Sequence, residues 1–260
     1  MRWVSIYVLV LAGIVNTVYF ENMSKSKSKS TERPRERRRR ARMESILDKS
    51  MEIFFKEGAD GLTMRRLADS MDLTPGALYR YFPGKGSILA GLGHRAFDRL
   101  SLMMDAAEET HPPELAEEGP GSALLWPVLA RTNAYWRLCL DEPSIWRLLN
   151  RFLSDPKRMI PEGDEHRIFM ERVFSQILQL SSVLDAATAG GSLDDKQPSV
   201  ARALAILSAL NGTLLMTKMA ENAPTPFDPG QILRLNLGSM LGAWGASSDD
   251  MDPLWKLLDK

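Results

Sequence analysis

The chain has one cysteine, Cys139, in 260 residues. A single thiol closes no intrachain disulfide and builds no cysteine-based metal centre, so it reads as a small core hydrophobe. Histidine is nearly as scarce, and His94, His111 and His166 lie too far apart to form a ligand pair. The sequence has no nucleophile elbow, no His-Glu-x-x-His and no dinucleotide glycine fingerprint. Gly84-Lys85-Gly86-Ser87 superficially looks like a phosphate loop, but no Ser or Thr directly follows the lysine and no strand precedes it. The pairs Asp194-Asp195 and Asp249-Asp250 sit in polar, turn-like contexts and read as solvated. An enzyme therefore has little support, and no catalytic residue, metal or cofactor is expected. Alternating β patterns of useful length are also missing, which predicts an all-α protein.

What is present is strongly polarised. The chain is 44% hydrophobic and 25% charged with a net charge of zero, ordinary for a globular protein. Residues 24–100 nevertheless hold 18 Lys/Arg against 10 Asp/Glu, whereas residues 101–260 hold 14 against 22. A basic amino-terminal part on an acidic remainder suits nucleic-acid contact at one end.

Trp3 to Phe20 is an uncharged, mostly apolar run of 18 residues, just long enough to span a membrane. Three readings compete for residues 1–22. The preferred one is upstream sequence ahead of a start at Met23; the others are a membrane anchor, and a signal or peripheral helix. Residues 23–42 read as a disordered basic arm, with alternating Lys and Ser and then seven arginines between Arg33 and Arg42. The arm suits phosphate contact or insertion into an adjacent minor groove; the alternative is a solubilising tail.

Residues 43–86 carry the most informative pattern. Met43, Leu47, Met51 and Phe54 give a first helix its apolar stripe, and Gly58 is placed to stop it. Thr63 is an N-cap for a second helix, with Met64, Leu67, Ala68 and Met71 on one face. Thr74-Pro75 starts a third. Leu78 and Phe82 point inward, Pro75, Gly76, Tyr79 and Arg80 outward, and Pro83-Gly84 ends it. This is a helix-turn-helix, whose second helix enters the major groove.

The string Gly58, Leu62-Thr63, Leu67-Ala68, Leu73, Gly76, Leu78-Tyr79, Phe82, Lys85 and Ile88-Leu89 closely resembles the TetR family of transcriptional regulators. The resemblance covers Ala41 to Leu92. It departs at Met71-Asp72, where the family usually has Ala-Gly; aspartate tolerates a left-handed backbone better than most residues, so the turn is expected to survive with slight strain. The resemblance implies DNA contacts at Thr63, Arg65, Pro75, Gly76, Ala77, Tyr79, Arg80, Tyr81 and Lys85. Lys85 and Thr63 suit phosphates. Arg80 suits a guanine edge.

Residues 87–260 read as a helical effector-binding and dimerisation domain. A long helix carries Leu89, Leu92, Ala96, Leu100 and Met103. Pro112 to Gly121 reads as a linker. Further stripes follow: Leu125 to Cys139, Ile145 to Leu153, and Phe169 to Leu184, broken at Ala189-Gly190-Gly191. Val200–Ala220 is apolar on most sides and is expected to be deeply buried. Leu233, Leu237, Met240 and Trp244 mark a last major helix. The resemblance implies that these two terminal long helices pair with a second subunit, and that the body encloses an inducer pocket. Candidate pocket residues are Trp126, Tyr135, Trp136, Trp146, Phe152, Phe169 and Asn211, with Thr213 a further polar candidate. The expected protein is a cytoplasmic, nucleoid-associated, ligand-responsive repressor that binds a palindromic double-stranded DNA operator as a homodimer, its small-molecule effector unknown. A membrane-anchored form follows if residues 1–22 are genuine. A helical small-molecule-binding protein or enzyme with an incidental basic head is the competing class.

Overall fold

A computed structural model describes residues 33–154, 159–160, 163–224 and 226–258. The apolar segment 1–22 and the first part of the basic arm, up to residue 32, lie outside them. Among the described residues the secondary structure is helical throughout, with no strand. Contacts divide the chain between Lys49 and Ser50, inside the first helix, α1 (Pro34–Gly61).

The amino-terminal unit corrects one expectation. Residues 34–42 are helical, not a disordered arm. Pro34 occupies the first helical position, where its missing N–H costs nothing. Glu36, two residues on, accepts the Arg33 backbone N–H at 3.2 Å, half of a capping box. Arginine is itself a good helix former.

From Ser50 onward one compact unit contains the rest of the helix-turn-helix and the body. Gly58 breaks α1 with φ 74°, a left-handed conformation glycine adopts without a Cβ penalty. Helix α2 spans Met64–Ser70 and α3 spans Pro75–Tyr79. Then α4 (Lys85–Glu109) leads into a 3-10 turn, Pro113–Glu117, within the expected linker. The body continues with α5 (Pro120–Asp141), α6 (Pro143–Ser154), α7 (Asp164–Ala189), α8 (Ser199–Glu221), α9 (Pro229–Ala243) and α10 (Ser248–Leu258).

The body's core is aromatic where α4, α6 and α7 meet. Phe169 stacks on Phe152 with ring centroids 4.7 Å apart and takes Phe97 edge-on at 5.2 Å. Gly93 permits this approach, since a Cβ there would sit 2.7 Å from the Phe169 ring. The stripes expected on α5 and α7 are buried as anticipated, Leu125, Val128, Trp136 and Cys139 on the one and Phe169, Val173, Ile177, Leu180 and Leu184 on the other. Gly190 caps α7 and Gly191 turns the chain at φ 83°.

Helix α8 departs from expectation. Ala203, Ile206 and Leu210 are buried, but Leu204, Leu215, Met216 and Met219 are exposed, and so is Leu235 on α9. The body covers only one side of α8, so its all-round hydrophobicity leaves an apolar outer face. Among the described residues, α8 is also the one helix long and apolar enough to cross a membrane, a test of length and composition alone.

Two buried arginines tie elements together. Arg131 on α5 donates to Asp105 and Glu108 of α4 at 2.8 and 2.6 Å, and to Gln179 of α7 at 2.8 Å. Arg202 on α8 donates to Asp194 at 2.6 Å, with Trp244 against its guanidinium. Asp194 is thus an ion-pair partner, not the solvated carboxylate expected. Its carboxyl is held below the usual range by hydrogen bonding from Lys196, with Arg202 adding to the effect. Asp250 likewise caps α10 together with Ser247.

Candidate nucleic-acid interface and effector cavity

The helix-turn-helix is built by three local devices. Thr63 Oγ1 accepts the Arg66 N–H at 3.1 Å and starts α2. Thr74 Oγ1 accepts the Ala77 N–H at 3.2 Å and starts α3. Between them, α2 ends in a Schellman turn: Leu73 N–H reaches Ala68 C=O at 3.0 Å, and Asp72 N–H reaches Asp69 C=O at 3.4 Å. Asp72 supplies the required left-handed residue, with φ 52°, and no other non-glycine residue described has positive φ. An aspartate thus does what glycine does in the related turn.

Helix α3 is shorter than its sequence pattern suggests. It ends at Tyr79, after which Tyr81 and Phe82 both donate to Leu78 C=O, at 2.9 and 3.0 Å. The turn carries the chain to Phe82, which is buried with Leu78, Leu67 and Ala68. Ser87 accepts the Gly84 N–H and donates to the Gly84 carbonyl at 2.7 Å, opening α4 with Lys85 as its first residue.

These anchors leave one face open. Thr63, Arg65, Pro75, Gly76, Tyr79 and Arg80 are exposed, and Ala77, Tyr81 and Lys85 are half-buried. A Cβ at Gly76 would meet nothing within 4 Å, so backbone and side chains there are accessible to a partner. Arg66, on the same helix as Arg65, is committed to Glu57 across 2.5 Å.

The aromatic pocket candidates separate into three groups. Tyr135 and Asn211 line a cavity of about 350 Å³ between α4, α5, α6, α7 and α8, and Tyr135 donates to Asn211 Oδ1 at 3.2 Å. Burial pushes the Tyr135 hydroxyl well above its ordinary range, so it stays protonated. Trp136 lines a different recess of about 290 Å³, rimmed by Arg137, Arg234 and Asp228. Trp126, Trp146, Phe152 and Phe169 line neither: they are buried core residues. Their helical spacing reflects packing, as it does for most aromatics on core faces. Thr213 donates to the Ala209 carbonyl at 2.8 Å and lines neither cavity.

The larger of these two cavities has polar residues that the sequence did not single out, notably Gln176, Asn150 and Ser208, and no charged side chain among the described residues of its wall. Gln176 donates to Ser101 of α4 at 2.8 Å and accepts from Arg131 at 3.4 Å. Only these contacts across distant helices mark Gln176.

Residues 46–92 match the family described as bacterial regulatory proteins, tetR family. The HTH-type transcriptional repressor KstR of Mycobacterium tuberculosis is 41% identical over 64 residues, 25% of this chain and 29% of that one. An uncharacterised HTH-type transcriptional regulator of Xanthobacter autotrophicus is 36% identical over 114 residues, 43% of this chain and 54% of that one. These matches span less than two thirds of either relative. Solved structures share the fold over more of the chain. A bacterial regulatory protein in the tetR family from Rhodococcus RHA1 superposes with TM-score 0.58 at 19% identity, covering 79% of this chain and 98% of that one. SmeT, the repressor of the Stenotrophomonas maltophilia multidrug efflux pump SmeDEF, gives 0.55 at 16% identity, covering 80% and 92%. Residues 46–92 therefore carry the helix-turn-helix domain of the tetR family of bacterial regulatory proteins, on a body that shares the fold of solved tetR-family structures.

Proposed function

We propose that the chain is a cytoplasmic, sequence-specific DNA-binding repressor that acts as a homodimer and releases its operator when a small molecule enters the body. The observation that carries this reading is the open face of α3. Leu78 and Phe82 anchor it from within while Pro75, Gly76, Tyr79 and Arg80 stand exposed. Arg80 is assigned to a guanine edge through bidentate O6/N7 contact, and Thr63 and Lys85 to phosphates. Arg65 joins either set. Pro75, Ala77 and Gly76 allow close approach, and Tyr79 and Tyr81 pack against sugar and phosphate.

Dimerisation is assigned to the outer faces of α8 and α9, where Leu204, Leu215, Met216, Met219 and Leu235 are exposed. Monomers rarely leave such contiguous apolar surface in water. A two-fold pair would read two half-sites about 34–36 Å apart.

The effector site is assigned to the cavity of about 350 Å³. Its wall is largely apolar, with neutral hydrogen-bonding groups on Tyr135, Asn211 and Gln176, so it suits an uncharged, mainly apolar molecule bearing an oxygen acceptor or hydroxyl. Gln176 connects that cavity to Ser101 of α4, and α4 starts at the end of the DNA-reading head. A ligand that recruits Gln176 would therefore alter how α4 is held, giving the differential affinity that release requires.

Selection from random duplexes with purified protein tests the reading. An enriched inverted repeat bound by two chains is the expected result. Recovery of unenriched sequence would overturn it.

A further inference from the structure

The basic segment at the start of α1 is a helix without a buried face among the described residues. Every residue from Arg33 to Ala41 is exposed and Arg42 is half-buried. Helices in proteins owe most of their stability to a buried face, and this segment has none. Its charges also work against it: Arg35, Arg38, Arg39 and Arg42 fall at i, i+3, i+4 and i+7, one stripe of like charge along one side. Like-charged neighbours at such spacings destabilise a helix. A polyanion laid along the stripe removes the repulsion.

Resting on the regulator reading above, we infer that residues 34–42 form a helical clamp that lies against the phosphate backbone of duplex DNA and raises affinity without reading sequence. Two magnitudes decide between phosphate contact and groove insertion. A helix with side chains is about 10–12 Å across, whereas the minor groove is about 6 Å wide. A helical segment cannot enter it as an extended arm does. From Arg35 to Arg42 the stripe is about 10 Å long. Over that length a duplex presents roughly six phosphates, enough for all four guanidinium groups. Arginine suits them because its planar fork pairs with phosphate oxygens.

The test compares the full chain with the variant Arg35→Gln, Arg38→Gln, Arg39→Gln, Arg42→Gln, and with its lysine counterpart. Glutamine keeps helix propensity, and a thermal melt matching the wild type verifies the fold. Binding to one selected duplex and one scrambled duplex is followed as salt is raised. The glutamine variant is expected to lose roughly three from the slope of log affinity against log salt on both duplexes, with base preference unchanged and the slope kept by the lysine variant. An unchanged slope would overturn the inference. So would a slope unchanged on DNA together with loss of binding to phosphatidylserine vesicles, which would assign the helix to a membrane surface. If the wild type shows no sequence preference, the regulator reading fails, while the slope difference on scrambled duplex still decides the clamp.

Discussion

Gln176 on α7 and Ser101 on α4 are joined by a 2.8 Å hydrogen bond, and Gln176 also lines the body cavity. One side chain therefore faces the proposed effector and holds the helix that begins at the proposed DNA-reading head. Its carbonyl oxygen takes the Arg131 guanidinium at 3.4 Å, and Arg131 in turn holds Asp105 and Glu108 of the same α4. Effector contact and α4 position thus share a short polar chain.

Gln176→Leu should separate ligand binding from release. An effector identified by its thermal stabilisation of the wild type would lose its contact with Gln176 but keep those with Tyr135 and Asn211, so it would bind more weakly and still saturate the site. Its effect on operator affinity, about 5- to 150-fold in a typical coupled system, would shrink towards none. Paired operator titrations with and without effector measure this, and undiminished release in the variant would rule out the Gln176 route.

Asp72 pays a conformational penalty at φ 52° that glycine does not. Asp72→Gly is expected to stabilise the protein by up to about 1 kcal/mol, and Asp72→Val to destabilise it by more than that. Chemical denaturation of the three chains checks the order. A wild type more stable than the glycine variant would mean that the aspartate side chain contributes something the backbone geometry does not reveal.

His94 links stability to pH. Burial and the Arg172 guanidinium, 3.4 Å from Nδ1, hold its imidazole below the ordinary value, with Asp98 acting in the opposite sense. With Arg172 donating, Nδ1 accepts and the neutral ring carries its proton on Nε2. The unfolded chain takes up the proton first as pH falls below about 6.5. The contribution is therefore fully present above that value and is lost as pH drops towards and through the depressed folded value. His94→Asn should flatten the decline in melting temperature between pH 7.5 and the acid limb. An equal decline in both chains would place the titration elsewhere.

Much of the head was legible because its signals are local. Thr63, Thr74 and Asp72 act within four residues of themselves, and each does in three dimensions what its neighbours imply. The body was legible only as stripes. The burial of Arg131 and Arg202 left no mark in the sequence, because their partners lie on other helices or across a turn, and nothing in a window of sequence marks a guanidinium for burial. Helix α10 went unread although Ser247 and Asp250 form its cap and Met251, Leu254 and Trp255 its buried face. The apolar run of α8 signalled burial but could not say how much of that burial belongs to this chain.

Cys139 should be chemically silent in the native state. It is buried, and burial pushes its thiol up to about 12, so almost no thiolate exists at neutral pH. A thiol reagent is expected to label it only after unfolding, at a rate set by global opening. Rapid stoichiometric labelling of the folded protein would contradict the packing around α5.

The most direct test of the whole scheme is the base-by-base binding profile of Arg80→Ala beside that of the wild type. Arg80 is exposed beside Tyr79 at the end of the reading helix. The expected result is a loss of preference worth roughly 1–3 kcal/mol at one symmetry-related pair of base pairs, with the remaining positions unchanged. A profile unaltered at every position, or one weakened evenly across the site, would contradict the assignment of α3 as the element that reads sequence.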